Sequence, residues 1–245
     1  MLDDPELIKK VRNKFANIDT CPVYGERVFF ENAGGALTLK SVVETSTKYS
    51  GVPDNQGRDN PASKELDLVV SKGRKDAALF LNASSGQIFI GESGTELLFR
   101  MISEACLNSV NSGRIVGSSL EHPASRSAAK RWAQISGLEY VEVPHNNITG
   151  TVTAIDYAAH IDAQTVVATI IHTSPITGIS VDITAISRAI REKAPDCFII
   201  VDGIQHAAHG NIDIDLYDID GYAISPYKVF SRHGFGIAWI SDRFS

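Results

Sequence analysis

The strongest constraint on this chain is its runs of consecutive apolar residues, such as VVATII at 166–171 and the FIIV that precedes Asp202. A strand with one face in water alternates apolar and polar side chains, so runs like these belong to strands covered on both faces. Helix-period segments separate them. Thr95–Val110 puts Leu97, Leu98, Met101, Ile102, Ala105 and Cys106 on one stripe, and Ile183, Ile186 and Ile190 form another that stops before Pro195. Strands are expected at Arg27–Phe30, Gln87–Gly91, Arg114–Gly117, Glu139–Val143, Val166–Ile171, Phe198–Asp202, Gly221–Ser225 and Phe235–Ile240. Their alternation with helices predicts an α/β domain with a mostly parallel sheet.

A chain of 245 residues can bury a sizeable core without disulfides. Cys21, Cys106 and Cys197 lie far apart with no C-x-x-C pair, which fits a reducing compartment. The balance of 23 Lys+Arg against 29 Asp+Glu, a net −6, argues against a nucleic-acid or acidic-membrane partner. No apolar run approaches the roughly 18 residues of a membrane span. The N-terminal MLDDPELIKKVRNKF reads as an amphipathic helix with Leu7, Ile8, Val11 and Phe15 on one face, not as a signal peptide. Residues 1–25 are therefore taken as a helix and lead-in, and 26–245 as one large domain. Gly51–Ser63 lacks apolar periodicity and is expected to be a long loop. The chain stops at Ser245 just after a buried-looking strand, which suggests that a further segment belongs there.

In such sheets ligands gather at the carboxyl ends of the strands. After Gly91, Glu92-Ser93-Gly94-Thr95-Glu96 opens an apolar helix, which is either an anion site at a helix N-terminus or an ordinary cap by Ser93 or Thr95. No G-x-G-x-x-G or G-x-x-x-x-G-K-[ST] occurs. Further strand ends carry Glu121-His122-Pro123-Ala124, His172-Thr173-Ser174-Pro175 and Asp202-Gly203-Ile204-Gln205-His206. A carboxylate ending a buried apolar strand is costly unless something polar meets it, so Asp202 stands out, with a turn cap as the plain alternative. Lys228 follows the GYAIS strand, fenced by aromatics and glycines. Partial desolvation there would favour the neutral amine that Schiff-base chemistry needs. A lysine with a carboxylate 26 residues earlier matches a known division of labour. The amine holds pyridoxal phosphate as an aldimine, and the acid keeps the pyridine nitrogen protonated. Two other classes stay open. One is a metal-dependent hydrolase on Asp202, His206 and His209, which would leave Lys228 and Gln205 unexplained. The other is a non-catalytic remnant that binds cofactor or a partner chain.

S-G-T-E, then E-H-x-A, then V-D-G-x-Q, then S-x-x-K and H-G-x-G, in that order, resemble the fold-type I, class V aminotransferases. Within them the likeness is to cysteine desulfurase and selenocysteine lyase-like proteins, and it runs from the Phe29–Gly35 block to Trp239. The resemblance implies a three-layer α/β large domain for pyridoxal 5'-phosphate and a small amino-acid substrate, with C–S or C–Se cleavage as the reaction. It implies that Lys228 forms the aldimine and shuttles the Cα proton, that Asp202 pairs with the pyridine nitrogen, and that Gln205 bonds the ring hydroxyl. His122 would stack on the ring. Gly94, Thr95 and Ser225 would hold the phosphate, with Tyr227 where desulfurases often have a phosphate-contacting His. Asn32, Ala33, Gly34 and Gly35 would line the substrate pocket.

The same resemblance implies a cytoplasmic homodimer in which the Gly51–Ser63 loop serves the neighbouring site. Pro175 stands where desulfurases have Asn, as in epimerase-type relatives, and Ser125 stands where Asn usually follows E-H-x-A. Both departures keep epimerase or aminotransferase chemistry open. Relatives continue into a small C-terminal domain with the substrate-carboxylate arginine and, in desulfurases, the sulfur-accepting cysteine. Neither is expected in this chain. Cys106 and Cys197 read as core, Cys21 as a poor sulfur acceptor lying before the first strand, and the acceptor stays unassigned.

Overall fold

A computed structural model of the chain describes residues 4–109 and 112–245. These divide into two compact units, Met1–Arg74 with Pro226–Gly234, and Lys75–Ser225 with Phe235–Ser245.

The first unit begins with α1, Pro5–Arg12. Asp4 caps it by accepting the Glu6 and Leu7 N–H groups at 3.0 and 3.3 Å, and Lys9, Lys10 and Arg12 meet the negative end of its dipole. The expected apolar face is only partly used. Leu7, Ile8 and Val11 are exposed, and Phe15 lies beyond the helix, edge-on to Phe230 with ring centroids 5.4 Å apart. Next, β1 (Thr20–Cys21) and β2 (Gly25–Glu26) form a short antiparallel ribbon. The strand expected at Arg27–Phe30 is not there: those residues join no ladder, and Val28 and Phe30 are 78% and 90% exposed. Cys21 is likewise inside β1 rather than ahead of the first strand. Helices α2 (Lys40–Ser50) and α3 (Pro61–Leu81) follow, the last turns of α3 belonging to the second unit. The loop expected over Gly51–Ser63 stops at Asn60. Its side chain accepts the Ser63 N–H at 2.9 Å and Pro61 fits the first turn, so a helix starts where loop composition had suggested none.

The second unit runs β3 (Gln87–Gly91), α4 (Gly94–Leu107), β4 (Arg114–Ser118), α5 (Pro123–Ser136), β5 (Glu139–Val143), α6 (Ala154–His160), β6 (Thr165–Ile171), α7 (Ile183–Lys193), β7 (Phe198–Asp202), α8 (Ile214–Tyr217), β8 (Gly221–Ile224) and β9 (Gly236–Ile240). Helix α4 ends at Leu107, capped by Asn108, and Val110 of the expected helix lies outside the described residues. The described strands form a seven-stranded sheet in the order β3-β9-β8-β7-β6-β4-β5. From β8 to β5 each pairing is parallel, and β9 pairs antiparallel with both β8 and β3. The mostly parallel sheet expected from the apolar runs is therefore present.

One side of the core joins Leu97, Leu98, Met101 and Ile102 of α4 and Ala128 and Ala129 of α5 to Ile115, Val167 and Ile200 of the sheet. The small α5 side chains let the two helices approach closely. Ile199 and Val201, alternating with Ile200, are also fully buried, so β7 is covered on both faces. Leu97→Ala in such packing costs about 2–5 kcal/mol.

Candidate functional site

Within the second unit, three strand ends converge in sequence function. After β3, Ser93 caps the 14-residue α4 by accepting the Glu96 N–H at 3.1 Å, which satisfies one of its first-turn amides. Gly94 has no room for a side chain. A Cβ there would lie 2.4 Å from Ser225 Oγ and 2.5 Å from Ile204 Cδ1, so the loops after β3, β7 and β8 meet at this glycine. Thr95, next along, is exposed. Gly236 presses from β9, where a Cβ would come within 2.5 Å of Ser93 main-chain carbon.

After β7, the buried Asp202 carboxylate accepts the Ile204 N–H at 3.0 Å through Oδ1 and the Ser125 hydroxyl at 3.1 Å through Oδ2. The turn-cap alternative is thus partly realised, yet Oδ2 is satisfied by a side chain 77 residues away in the chain. Ser125 lies in the first turn of α5, whose cap is His122: the His122 Nδ1 accepts the Ala124 N–H at 3.1 Å, so its proton sits on Nε2. Gln205 is buried, with its amide Nε2 3.2 Å from His209 Nε2.

Asp202, His206 and His209 do not gather as a metal site, and among the described residues no three His, Cys, Asp or Glu do. His206 stacks on His172 with centroids 3.4 Å apart, its Nδ1 2.8 Å from Thr173 Oγ1 and its Nε2 3.1 Å from the Asn211 carbonyl. Burial pushes His172 down to about 3 and lowers His206 below its usual value. Burial likewise pushes the Cys106 and Cys197 thiols up to about 12, as befits core cysteines.

Glu121 is the residue that sequence reasoning passed over. It is fully buried, three residues past β4, and its Oε1 accepts the Ile171 N–H at 2.7 Å and the Ser118 hydroxyl at 3.1 Å. Its pKa is pushed up to about 8 by burial first and by Asp202 second. The argument that singled out Asp202, an acid after a buried apolar strand, applies equally to Glu121 and would have found it.

In the first unit, Lys228 is 7% exposed and its Nζ donates to the Ala33 carbonyl at 2.7 Å. Ala33 belongs to the Asn32–Gly35 turn, which the Gly34 and Gly35 N–H groups close onto the Glu31 carbonyl at 2.9 and 3.2 Å. Asn32, Ala33 and Gly34 are exposed. Gly35 faces Tyr227, where a Cβ would approach the ring to 3.2 Å, and Tyr227 stacks on His233 at 4.4 Å. A cavity of about 410 Å³ lined by Arg27, Glu31, Gly34, Gly35 and His233 opens beside the turn. Of the expected site residues, then, Lys228, Tyr227 and Asn32–Gly35 belong to the first unit. Gly94, Thr95, His122, Asp202, Gln205 and Ser225 belong to the second.

Residues 28–245 match the family described as aminotransferase class-V. The chain is 28% identical over 234 residues to the cysteine desulfurase-like protein ustD of Aspergillus flavus, covering 92% of this chain and 51% of that one. It is 26% identical over 240 residues to a cysteine desulfurase of an Enterobacter species, covering 96% and 58%. The apo structure of a cysteine desulfurase from Thermococcus onnurineus superposes with a TM-score of 0.85 at 20% identity, over 96% of this chain and 57% of that one. At that identity the structural likeness shows the fold. The chain spans about half the length of the curated relatives it matches.

Proposed function

The chain belongs to the class V aminotransferase family, and on that premise we propose that it carries the cofactor-binding portion of an enzyme that uses pyridoxal phosphate to cleave a C–S or C–Se bond in a small amino acid. The observation that carries this is Lys228, a lysine only 7% exposed whose Nζ donates to the Ala33 carbonyl at 2.7 Å, in the turn expected to bound the substrate.

The residues fit the group. Gly94 leaves no space for a side chain at the N-terminus of α4, which suits a phosphate approaching main-chain amides. Asp202 is a buried acid with its oxygens oriented by Ser125 and Ile204, which suits a protonated ring nitrogen. When bound, pyridoxal phosphate supplies an electron-poor ring that stabilises negative charge at the substrate Cα. Lys228 would anchor the cofactor and serve as the base for the Cα proton. Asp202 would hold a proton at the ring nitrogen, Gln205 would bond the ring hydroxyl, and His122 would stack on the ring. Gly94, Thr95, Ser225 and Tyr227 would bind the phosphate, while Asn32, Ala33, Gly34 and Gly35 would bound the substrate. Pro175 supports epimerase or aminotransferase chemistry as a second reading. Family likeness extends the proposal to a cytoplasmic homodimer, with the sulfur acceptor unassigned; among the described residues no helix is long and apolar enough to cross a membrane.

The test is incubation with pyridoxal phosphate, borohydride reduction and peptide mapping. A yellow protein with the reduced adduct on Lys228, lost in Lys228→Ala, is expected. A folded, colourless protein with Lys228 unmodified would refute the assignment.

A further inference from the structure

The turn after β7 carries His206 and His209, neither of which the cofactor chemistry above uses, and the two rings are held in opposite ways. His206 is buried, and both of its ring nitrogens have partners. The Asn211 carbonyl at 3.1 Å can only accept, so His206 Nε2 carries a proton, while Nδ1 lies 2.8 Å from the Thr173 hydroxyl. His172 stacks on this ring, and a Cβ on Gly210 would stand 2.4 Å from its Cε1, so it has no room to turn. His209 is exposed, and among the described residues its ring is hydrogen-bonded to one group, the Gln205 carboxamide. Gln205 Nε2 lies 3.2 Å from His209 Nε2. An amide nitrogen only donates, so this is a hydrogen bond when His209 Nε2 presents its lone pair and the ring proton sits on Nδ1. A proton on Nε2 would set two donors against each other. Turning the carboxamide over, so that Oε1 takes the place of Nε2, restores the bond. The proton on His209 and the orientation of Gln205 are therefore one variable. Since Gln205 is only 8% exposed, the contact ties a buried amide to a ring that trades protons with solvent.

We propose that His209 is a positioning residue for Gln205: protonated on Nδ1 alone it holds the amide nitrogen toward itself, and on gaining a proton at Nε2 it turns the carboxamide over. The consequence for the cofactor rests on the role of Gln205 proposed above, because the turn exchanges the donor and acceptor ends that the carboxamide offers to a ring hydroxyl. The titratable groups gathered at this turn are His206, which is lowered by burial, His172 after β6, and Tyr217 of α8, whose hydroxyl donates to the Asn211 carbonyl at 3.4 Å. Among the described residues no carboxylate forms an ion pair with His209. The bond to Gln205 is thus the contact that distinguishes one ring nitrogen of His209 from the other.

NMR of the unloaded chain, with ¹⁵N in the glutamine side chains and histidine rings, reads both partners. A neutral His209 protonated on Nδ1 is expected, with Gln205 amide signals that shift across the same midpoint as the His209 ring. In His209→Gln, whose side-chain carbonyl accepts a hydrogen bond but does not titrate, the Gln205 signals should lose that pH response. In His209→Leu they should be displaced from their wild-type positions and equally indifferent to pH. A neutral His209 protonated on Nε2, Gln205 signals that ignore the His209 titration, or a pH response that survives in His209→Leu would overturn the proposal. If a substitution unfolds the protein, the wild-type titration decides the question alone. With pyridoxal phosphate bound, the visible band should follow the His209 midpoint in the wild type and lose it in His209→Gln. A band that keeps that midpoint in the variant would overturn the link to the cofactor. Failure of Lys228 to bind pyridoxal phosphate would sink the functional proposal alone and leave the NMR result standing.

Discussion

At the scale of single residues the chain separates acids by what surrounds them. Asp220 is met by Arg191 and Arg243, each 2.8 Å from Oδ2, and by the Ile199 N–H at 2.9 Å, which together outweigh its burial and lower its pKa. Glu121 accepts hydrogen bonds from Ile171 and Ser118, but burial and the Asp202 charge outweigh them and raise it from 4.5 to about 8. The sign of the consequence follows from proton counting. Between those two values the folded chain holds a proton that the unfolded chain has lost, so this group's contribution is fully present below pH 4.5 and is lost as pH rises to about 8. The slope is at most about 1.4 kcal/mol per pH unit. Denaturant midpoints across that window should fall with pH in the wild type and fall less steeply in Glu121→Gln. Parallel curves for the two proteins would show that the carboxyl does not titrate with folding.

At the scale of elements, Gly236 of β9 and Gly94 of α4 are both required to be small, for different reasons. A Cβ on Gly94 would meet Ser225 Oγ and the tip of Ile204, both able to shift, whereas a Cβ on Gly236 would meet the Ser93 carbonyl and the Gly94 nitrogen. Main chain at a helix cap cannot give way without moving the helix start. Gly236→Ala should therefore cost about 1–3 kcal/mol, more than Gly94→Ala, and also displace the first turn of α4. Denaturant unfolding of the two variants compares them, and a Gly94→Ala cost equal to or above that of Gly236→Ala would contradict the ranking. Neither glycine's packing was legible in the sequence, because it depends on which strand neighbours which, and the antiparallel insertion of β9 between β3 and β8 leaves no local signature. What was legible is what periodicity encodes. Five consecutive expected strands, the most apolar of them VVATII and FIIVD, became β4 to β8 within a residue or so of their expected ends, and Pro123 opened α5. Arg27–Phe30 failed because aromatic content suggests a strand only where a partner strand exists to pair with it. Gly51–Ser63 failed at its end because Asn60 and Pro61, turn residues by composition, are also a helix cap and first turn. That Asp202 and Lys228 are buried was legible from chemistry at strand ends, while the buried Glu121 hid behind the histidine that follows it.

At the scale of the molecule, burial is distributed unevenly between the units, each considered by itself. Helices α1 and α2 of the first contain no buried residue, and the β1–β2 ribbon has two residues per strand. In the second, β6 and β7 are buried along nearly their whole length and sit inside a sheet of seven described strands. Local opening of a segment exposes only the apolar surface that the segment buries, so its free energy scales with that burial. Amides of α1 and α2 should then exchange with solvent deuterium through small local openings, while those of Thr165–Ile171 and Phe198–Asp202 should exchange only on global unfolding. Native-state exchange with graded denaturant tells the two apart. The α1 and α2 amides should be insensitive to denaturant, and the β6 and β7 amides should follow the unfolding curve. Protection of α1 equal to that of β6 would mean that its exposed Leu7, Ile8 and Val11 are covered in solution by a second copy of the chain, and dilution should then abolish that protection.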